Sequence, residues 1–188
     1  MDINPIEIKL YKDARRQWKE FHNAESAIQL LKKAVERNDQ YADAWKLMGY
    51  IYTFQRNDAD ALKCWRNVCE IDPDDWEATR HYLLGISDEE DLDELRYYLK
   101  NLAPKAKPLA RRYHIIGSVF KQLHCYDEAL EAYCMSIEIE NERKNTLNQI
   151  ANVLKKTRKP ELAAKFAEWA KNPRGKADLI LSEVEKIV

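Results

Sequence analysis

The chain has 188 residues, of which 34% are charged and 45% hydrophobic, and its formal net charge is -1. This length suits one domain or one short solenoid, and the balanced charge excludes a global field that would draw the chain to nucleic acid or membranes. The charge is uneven locally, since residues 72–94 are acidic and residues 155–176 are basic. We interpret both runs as solvated helix faces and loops.

Neither a membrane span nor a disulfide framework is indicated. No apolar run approaches the roughly 20 residues needed to cross a bilayer, and the N-terminal segment has no apolar signal-peptide core. The cysteines form no CxxC pair, so we predict free thiols rather than bridges or metal ligands at Cys64, Cys69, Cys125 and Cys134. On these grounds we expect a cytoplasmic protein.

A long internal repeat organises the chain. Gly117 follows Gly49 by 68 positions, and the same separation joins Trp45 to Tyr113, Ala61 to Ala129 and Trp65 to Tyr133. Half of this separation, 34 residues, also aligns apolar positions in the segments between and beyond these pairs. The period predicts five units of two helices each, followed by one amphipathic capping helix, with bounds near 8–41, 42–75, 76–109, 110–143, 144–177 and 177–188.

The second unit has the clearest elements. Apolar and small residues recur at helical spacing from Trp45 to Tyr52, and Gln55 to Asp58 form a turn. The stripe of the second helix follows, and Pro73 ends it because proline cannot continue a helix. Small Gly49 permits close packing of the two helices, while Trp45, Tyr52 and Trp65 fill the space between hairpins. We therefore interpret the tryptophans as core residues rather than as an aromatic ligand cage.

The later elements follow the same scheme with local departures. In the third unit, Ser87 to Glu90 read as a capping box that begins the second helix. In the last element, one helix face is suited by the apolar residues Leu179, Leu181, Val184, Ile187 and Val188. A stack of hairpins needs such a helix to cover its final apolar surface.

These residues resemble the tetratricopeptide-repeat signature. Its positions are occupied by Trp45, Met48, Gly49, Tyr52, Ala61, Trp65 and Pro73 in the second unit, and by Tyr113, Ile116, Gly117, Phe120, Ala129 and Tyr133 in the fourth. The resemblance implies an all-α fold: a right-handed superhelical solenoid of antiparallel helix pairs. The third unit departs from the signature, because Leu83 and Leu95 replace small residues. We therefore expect irregular packing between Trp76 and Leu102.

No pattern of catalytic residues accompanies the repeat. The four histidines lack metal-ligand spacing, and neither a phosphate-binding glycine loop nor a nucleophile elbow is present. His124 and Cys125 are adjacent, but adjacent residues point apart and do not form a nucleophile–base pair. We predict no enzyme activity, no cofactor and no metal site.

The resemblance implies that a partner binds in a concave groove lined by the first helix of each unit. One position repeats along that face as Lys12, Lys46, Arg80, His114 and Asn148. The candidate groove residues are Lys12, Arg16, Lys46, Tyr50, Arg80, Arg111, His114, Asn145, Asn148 and Asn152.

We predict from this set an interaction scaffold or adaptor. Cations pair with carboxylates and Asn amides pair with peptide backbone, so the favoured partner is an acidic protein segment or one ending in a carboxylate. The Lys and Asn pattern by which some family members clamp chaperone C-termini is not matched, and we do not predict that clamp.

Two other functions remain open. Related helical repeats bind single-stranded RNA, but such binding needs a continuous basic groove. In this chain Asp43 and Glu77 interrupt the basic residues of the groove. Alternatively, the stack associates with itself through its edges or its groove. Such repeats otherwise carry no prediction of a specific partner.

Overall fold

The computed structural model describes residues 4–88, 91–140 and 143–187. Within these ranges the chain is helical and contains no strand. The α-helices are α1 Pro5–Lys19, α2 Ala24–Arg37, α3 Ala42–Phe54, α4 Asp58–Ile71, α5 Trp76–Asp88, α6 Leu92–Tyr97, α7 Ala110–Gln122, α8 Tyr126–Ile139, α9 Lys144–Lys156, α10 Pro160–Lys171 and α11 Ala177–Val184. None of these helices is long and apolar enough to cross a membrane.

The chain divides into two compact units, one up to Gly85 and one from Ile86 onward. In the first unit α1 packs on α2 and α3 packs on α4. In the second unit α7 packs on α8 and α9 packs on α10. The expected all-α architecture of packed helix pairs is thus confirmed, while the prediction of one continuous domain over 1–188 stays a prediction.

The turns inside the hairpins repeat with the 34-residue period. A non-glycine residue with φ between 53° and 61° lies in each described turn, at His22, Arg56, His124 and Arg158. Glu90 occupies the equivalent position in the third unit and lies outside the described residues. In the turn between α3 and α4, Asn57 N–H donates to Tyr52 O at 3.0 Å and Arg56 N–H donates to Thr53 O at 3.2 Å, which is a Schellman motif.

The residue after each left-handed position begins the next helix. Asn23, Asn57 and Asp91 accept a backbone N–H with their side chains and so cap α2, α4 and α6. Cys125 and Lys159, at the same position before α8 and α10, provide no side-chain cap. The turns of the N-terminal half therefore have better local capping than those of the C-terminal half.

Glycine at a left-handed position should stabilise the protein. A residue with a Cβ is strained by about 1–2 kcal/mol in the left-handed region, and glycine removes this strain. Part of the gain is lost, because glycine also gives the unfolded chain more conformational freedom. We expect Arg158→Gly to raise the free energy of unfolding by about 0.5–1 kcal/mol, as measured by urea denaturation. Lys156→Gly makes the same charge change in the last turn of α9 and should lower it; equal effects of the two would contradict the prediction.

In the core of the first compact unit, Gly49 of α3 contacts Trp65 of α4. Trp65 is 2% exposed, and a Cβ added at Gly49 would lie 2.8 Å from its indole ring. Tyr52 is buried as predicted, whereas Trp45 is only half-buried and donates its indole N–H to Asp39 O at 2.8 Å. The close approach of α3 and α4 at Gly49 is thus confirmed, but Trp65, predicted to fill the space between hairpins, also packs inside its own hairpin on Gly49.

The second unit repeats this contact with a tyrosine. Tyr133 is fully buried, and a Cβ at Gly117 would lie 2.7 Å from its ring. The Tyr133 hydroxyl lies 3.0 Å from Ser118 Oγ, which in turn donates to His114 O at 2.9 Å. The ring is thus fixed both by its packing and by its hydroxyl group.

The backbone of the third predicted unit is irregular, while the irregular packing expected between Trp76 and Leu102 stays a prediction. Leu83 and Leu95 are both fully buried, so the bulkier residues occupy core positions. After the short α6, the chain forms a π-helical turn over Tyr98–Leu102 and a 3₁₀ turn over Ala103–Lys105.

Two local predictions are wrong. Ser87 does not cap the second helix, because it still belongs to α5, and Asp91 caps α6 instead by accepting from Glu94 N–H at 3.0 Å. Glu89 and Glu90 of the predicted capping box lie outside the described residues. In α11 the buried face is formed by Ile180 and Val184, four residues apart, while Leu179 is 59% exposed.

The cysteines differ in access to solvent. Cys64, Cys69 and Cys134 are buried, and burial raises the pKa of the Cys64 and Cys134 thiols to about 12. Cys125 is half-buried. Because the thiolate is the reactive form, we expect only Cys125 to react quickly with a disulfide reagent in the native protein.

This expectation is checked by counting fast-reacting thiols before and after unfolding in guanidinium chloride. Cys125→Ser should abolish the fast phase and leave three thiols that react only after unfolding. A second fast thiol in the native protein would contradict the described burial.

Candidate functional site

The first helices of the hairpins carry the predicted site residues, five in each compact unit. In the first unit the central feature is Lys46 on α3. Its Nζ lies 2.8 Å from Asp75 Oδ2 and 2.9 Å from Glu77 Oε2, so one cation faces two carboxylates. Burial would lower the pKa of Lys46, but its hydrogen bonds with Asp75 and Glu77 outweigh burial and raise it. Lys46 is therefore an internally paired cation.

Tyr50 extends this polar cluster into an aromatic one. Burial, followed by a hydrogen bond with Glu77, raises the pKa of Tyr50 to about 12. The hydrogen bonds from Tyr50 and Lys46 keep the pKa of Glu77 below its usual value. The Tyr50 ring meets the Trp65 ring edge-on, with centroids 4.9 Å apart.

His81 also packs on Trp65, and its ring centroid lies 5.7 Å from that of Tyr50. The two rings stack with centroids 4.5 Å apart and an interplanar angle of 13°. Burial, helped by the charge of Arg80, lowers the pKa of His81, so the imidazole favours its neutral form. The half-exposed rings of Tyr50 and His81 therefore present a mostly uncharged aromatic surface beside the Lys46 cluster.

The other predicted cations of the first unit are exposed. Lys12, Arg16 and Arg80 form no ion pair within the described part of the chain. The guanidinium carbon of Arg16 lies 5.8 Å from the centroid of the Phe21 ring, so Arg16 belongs to the turn between α1 and α2 as much as to the helix face. Lys12 and Arg80 have no such neighbour and are available to an incoming carboxylate.

In the second unit, hydrogen bonds connect the facing first helices α7 and α9. His114 Nδ1 lies 2.9 Å from Thr146 Oγ1, and Lys121 Nζ donates to Gln149 Oε1 at 2.7 Å. Burial, then the charges of Arg143 and Lys121, lower the pKa of His114. The predicted residue His114 therefore holds two helices together as a half-buried, mainly neutral side chain.

The amide side chains of α9 are arranged differently. Asn145, Asn148 and Asn152 are three and four residues apart, which places them along one helix face. None of the three makes a hydrogen bond in the described structure, and all are exposed or half-exposed. Arg111, the remaining predicted residue, is exposed on α7.

Sequence reasoning missed the partners that restrain Lys46 and His114. Asp75 and Thr146 lie 29 and 32 residues further along the chain. Both distances are close to one repeat, so pairing between neighbouring first helices is the signal that could have identified them. Across the described residues, no group of three or more His, Cys, Asp or Glu side chains could hold a metal ion.

Loss of the Lys46 cation should destabilise the first unit. Lys46→Met leaves two neighbouring carboxylates without their shared donor, and we expect a loss of about 1–2 kcal/mol in the free energy of unfolding at pH 7. Because the folded state lowers the pKa of Glu77, the stabilisation by Lys46 is present at neutral pH. It is lost as the pH falls through the lowered pKa of Glu77 and the carboxylate is protonated. Urea denaturation at pH 7 and pH 3 measures both effects.

Lys63→Met provides the control, because Lys63 is 75% exposed and its ion pair with Asp60 is long, at 3.5 Å. We expect it to change the unfolding free energy by less than about 0.5 kcal/mol. Equal losses for Lys46→Met and Lys63→Met, or a Lys46→Met loss that persists at pH 3, would show that the cluster is not stabilising.

Comparison with known proteins places the fold. No protein-family model matches the chain. A crystal structure of MamA protein has a TM-score of 0.59 and 18% identity, with coverage of 92% of this chain and 94% of that one. MamA from Desulfovibrio magneticus RS-1, from residue 41 onward, has a TM-score of 0.53 and 14% identity over 98% of both chains. YrrB, described as a TPR protein with an unusual peptide-binding site, has a TM-score of 0.57 and 14% identity over 96% of this chain and 92% of its own.

One curated relative is similar in sequence. The N-terminal acetyltransferase A complex auxiliary subunit NAA15 of Arabidopsis thaliana is 29% identical over 128 residues. These residues are 64% of this chain but only 14% of that protein, so the chain corresponds to a small part of the relative. Together with the packed helix pairs and the 34-residue spacing of the turns, the structural matches confirm that this chain has the tetratricopeptide-repeat fold.

Proposed function

We propose that the chain is an interaction module of a protein assembly and that it holds an extended or helical segment of a partner against the first helices of its hairpins. Two relatives fit this type of role: YrrB, whose structure is described by its peptide-binding site, and NAA15, an auxiliary subunit of a complex.

The observation that carries the proposal is the row of free amides on α9. An Asn side chain offers two donors and one acceptor, which match the backbone of a peptide. Asn148 and Asn152 use none of these groups within the part of the chain that the structure describes, although neighbouring polar residues such as Thr146 and Gln149 are bonded to α7. A partner backbone along α9 would satisfy these amides.

The charge of the partner follows from the cations that stay unpaired. Lys46 is neutralised by Asp75 and Glu77, so an incoming carboxylate gains little there. Lys12 and Arg80 have no such partner. We propose an acidic segment whose carboxylates pair with Lys12 and Arg80, while its apolar or aromatic residues contact Tyr50 and His81.

The test is affinity capture from the native extract with wild-type protein and two double variants. Asn148→Ala with Asn152→Ala removes the amides, and Lys12→Glu with Arg80→Glu reverses the free charges. We expect each pair to reduce recovery of a stoichiometric partner at least tenfold, and we expect high salt to release the partner from the wild type. Lys33→Glu with Lys171→Glu changes exposed lysines on second helices and is the matched control.

The outcomes separate the parts of the proposal. A partner lost only from the amide variant would keep the module but remove its acidic specificity. A partner retained by both variants would refute binding along the first helices. A doubled mass on size exclusion without any partner would favour self-association.

A second function has one observation in its favour. The turn between α9 and α10 presents Lys155, Lys156, Arg158 and Lys159, all exposed and none of them in an ion pair within the described residues. Such a cluster attracts polyanions, including single-stranded RNA. RNA recovered in the capture experiment, and lost after Lys156→Glu with Lys159→Glu, would favour this function over a protein partner.

A further inference from the structure

Two phenylalanines of the first unit are unusually exposed. Phe21 is 59% exposed in the turn between α1 and α2, and Phe54 is 74% exposed at the end of α3. Aromatic rings bury large apolar areas when they find a partner, so two such rings on hairpin turns form a candidate contact surface. Phe21 follows the end of α1, and Phe54 is the last residue of α3, four residues after Tyr50.

A cleft connects these turns. It has a volume of about 430 Å³ and is lined by Trp18, Lys19, His22 and Phe54. The rings of Trp18 and Phe54 meet edge-on with centroids 5.2 Å apart, so they form one apolar wall. This volume lies within the range of about 300–1,000 Å³ that is typical of ligand clefts.

The surroundings of the cleft are mainly cationic. Lys19 lines it, Arg16 lies over the Phe21 ring at 5.8 Å, and exposed Arg56 follows Phe54 by two residues. None of these three cations forms an ion pair within the described residues. The turn at Arg56 is a Schellman motif, and in the turn at His22 the Asn23 N–H donates to Gln17 O at 3.0 Å, so backbone hydrogen bonds hold both turns beside the cleft.

We propose that this aromatic cleft binds an acidic segment of a partner protein through one apolar anchor residue. The anchor, a Leu, Phe or Trp, packs against Trp18 and Phe54. Carboxylates on either side of the anchor pair with Lys19, Arg16 and Arg56, which form no ion pair among the residues that the structure describes.

The mixture of acidic and basic residues around the cleft favours a protein segment over RNA as the bound partner. Glu20 and Asp58 are exposed on the same two turns, so the cations do not form a continuous track for a phosphate backbone. A single apolar anchor with flanking carboxylates matches both the shape and the charge.

The experiment titrates the protein with twelve-residue peptides that carry a central Leu, Phe or Trp flanked by Asp and Glu. Binding is followed by NMR through the indole N–H signals of the 5 tryptophans. Trp18→Phe assigns the Trp18 signal. We expect at least one acidic peptide to shift the Trp18 signal in a saturable manner, more tightly at low salt than at high salt.

Variants locate the interaction. Phe54→Ala and Lys19→Glu should each weaken binding at least tenfold. Leu179→Ala removes a comparably exposed side chain from α11, at 59% exposure, and should leave binding unchanged. Asn148→Ala with Asn152→Ala should also leave it unchanged, which separates this cleft from the first-helix surface.

Four results would overturn the proposal. The first is that no acidic peptide shifts the Trp18 signal. The second is that peptides with Lys in place of Asp and Glu shift it equally. The third is that a twelve-nucleotide uridine RNA binds more tightly than the acidic peptides. The fourth is a Trp18 shift that depends on protein concentration alone and disappears in Phe54→Ala, since the occupant would then be a second copy of the chain.

Discussion

Replacing Trp65 by alanine is expected to lower the free energy of unfolding by about 3–5 kcal/mol. Trp65 is 2% exposed and lies between the Gly49 backbone, the edge of Tyr50 and the stacked face of His81. Its indole N–H also donates to Thr53 Oγ1 at 3.4 Å. Truncation leaves a cavity that these neighbours cannot fill without moving α3 relative to α4.

Urea denaturation measures the loss, and the His81 ring gives a local readout. His81 signals shifted by the stacked indole should move to ordinary positions in Trp65→Ala, and the lowered pKa of His81 should rise as the imidazole gains solvent. Trp65→Phe keeps an aromatic ring and should lose less than half as much stability. A loss under about 1 kcal/mol for Trp65→Ala would contradict the described core.

The second large effect is expected from Gly117→Ala, which should lower the free energy of unfolding by about 1–3 kcal/mol. The new Cβ would lie 2.7 Å from a ring carbon of Tyr133. That ring cannot move away easily, because it is fully buried and its hydroxyl is bonded to Ser118. The clash therefore outweighs the gain of up to about 1 kcal/mol that alanine provides over glycine in a helix.

Gly85→Ala is the matched control for this substitution. Its Cβ would lie 2.9 Å from Leu62 Cδ1, the end of a flexible side chain that can rotate away. We expect Gly85→Ala to be neutral or to stabilise the protein by up to about 1 kcal/mol through helix propensity. Gly117→Ala as stable as Gly85→Ala would show that the Tyr133 ring is not a rigid neighbour.

These two contacts explain why the fold could be predicted from sequence. The pair Gly49 and Trp65 recurs 68 residues later as Gly117 and Tyr133. Such a repeated pattern of small and large residues indicates that two helices of each unit pack closely against each other. The left-handed turns at Arg56 and Arg158 carry no glycine, yet their place in the period makes them equally regular. Local rules failed at Ser87, where the helix continues past the predicted cap, and at Leu179, which neighbours the true buried position Ile180.

The candidate site was less predictable, because a sequence gives charges but not their partners. Lys12, Lys46 and Arg80 occupy the same repeat position, but only Lys46 faces two carboxylates, contributed by the start of α5. Asn148 and His114 likewise share that position, although His114 is bonded to Thr146 and Asn148 keeps a free amide. Equivalent positions therefore differ in availability according to the residues one hairpin further along.

The sequence by itself determined the helical repeat, its period and the tetratricopeptide-repeat fold, because these depend on spacing along one chain. Only the tertiary structure decided which cations are neutralised and which amides are free. It also decided where Trp18, Lys19 and Phe54 converge on one cleft. Such features depend on the distances between side chains of neighbouring helices, and a change of a few ångströms separates an ion pair from an open binding group.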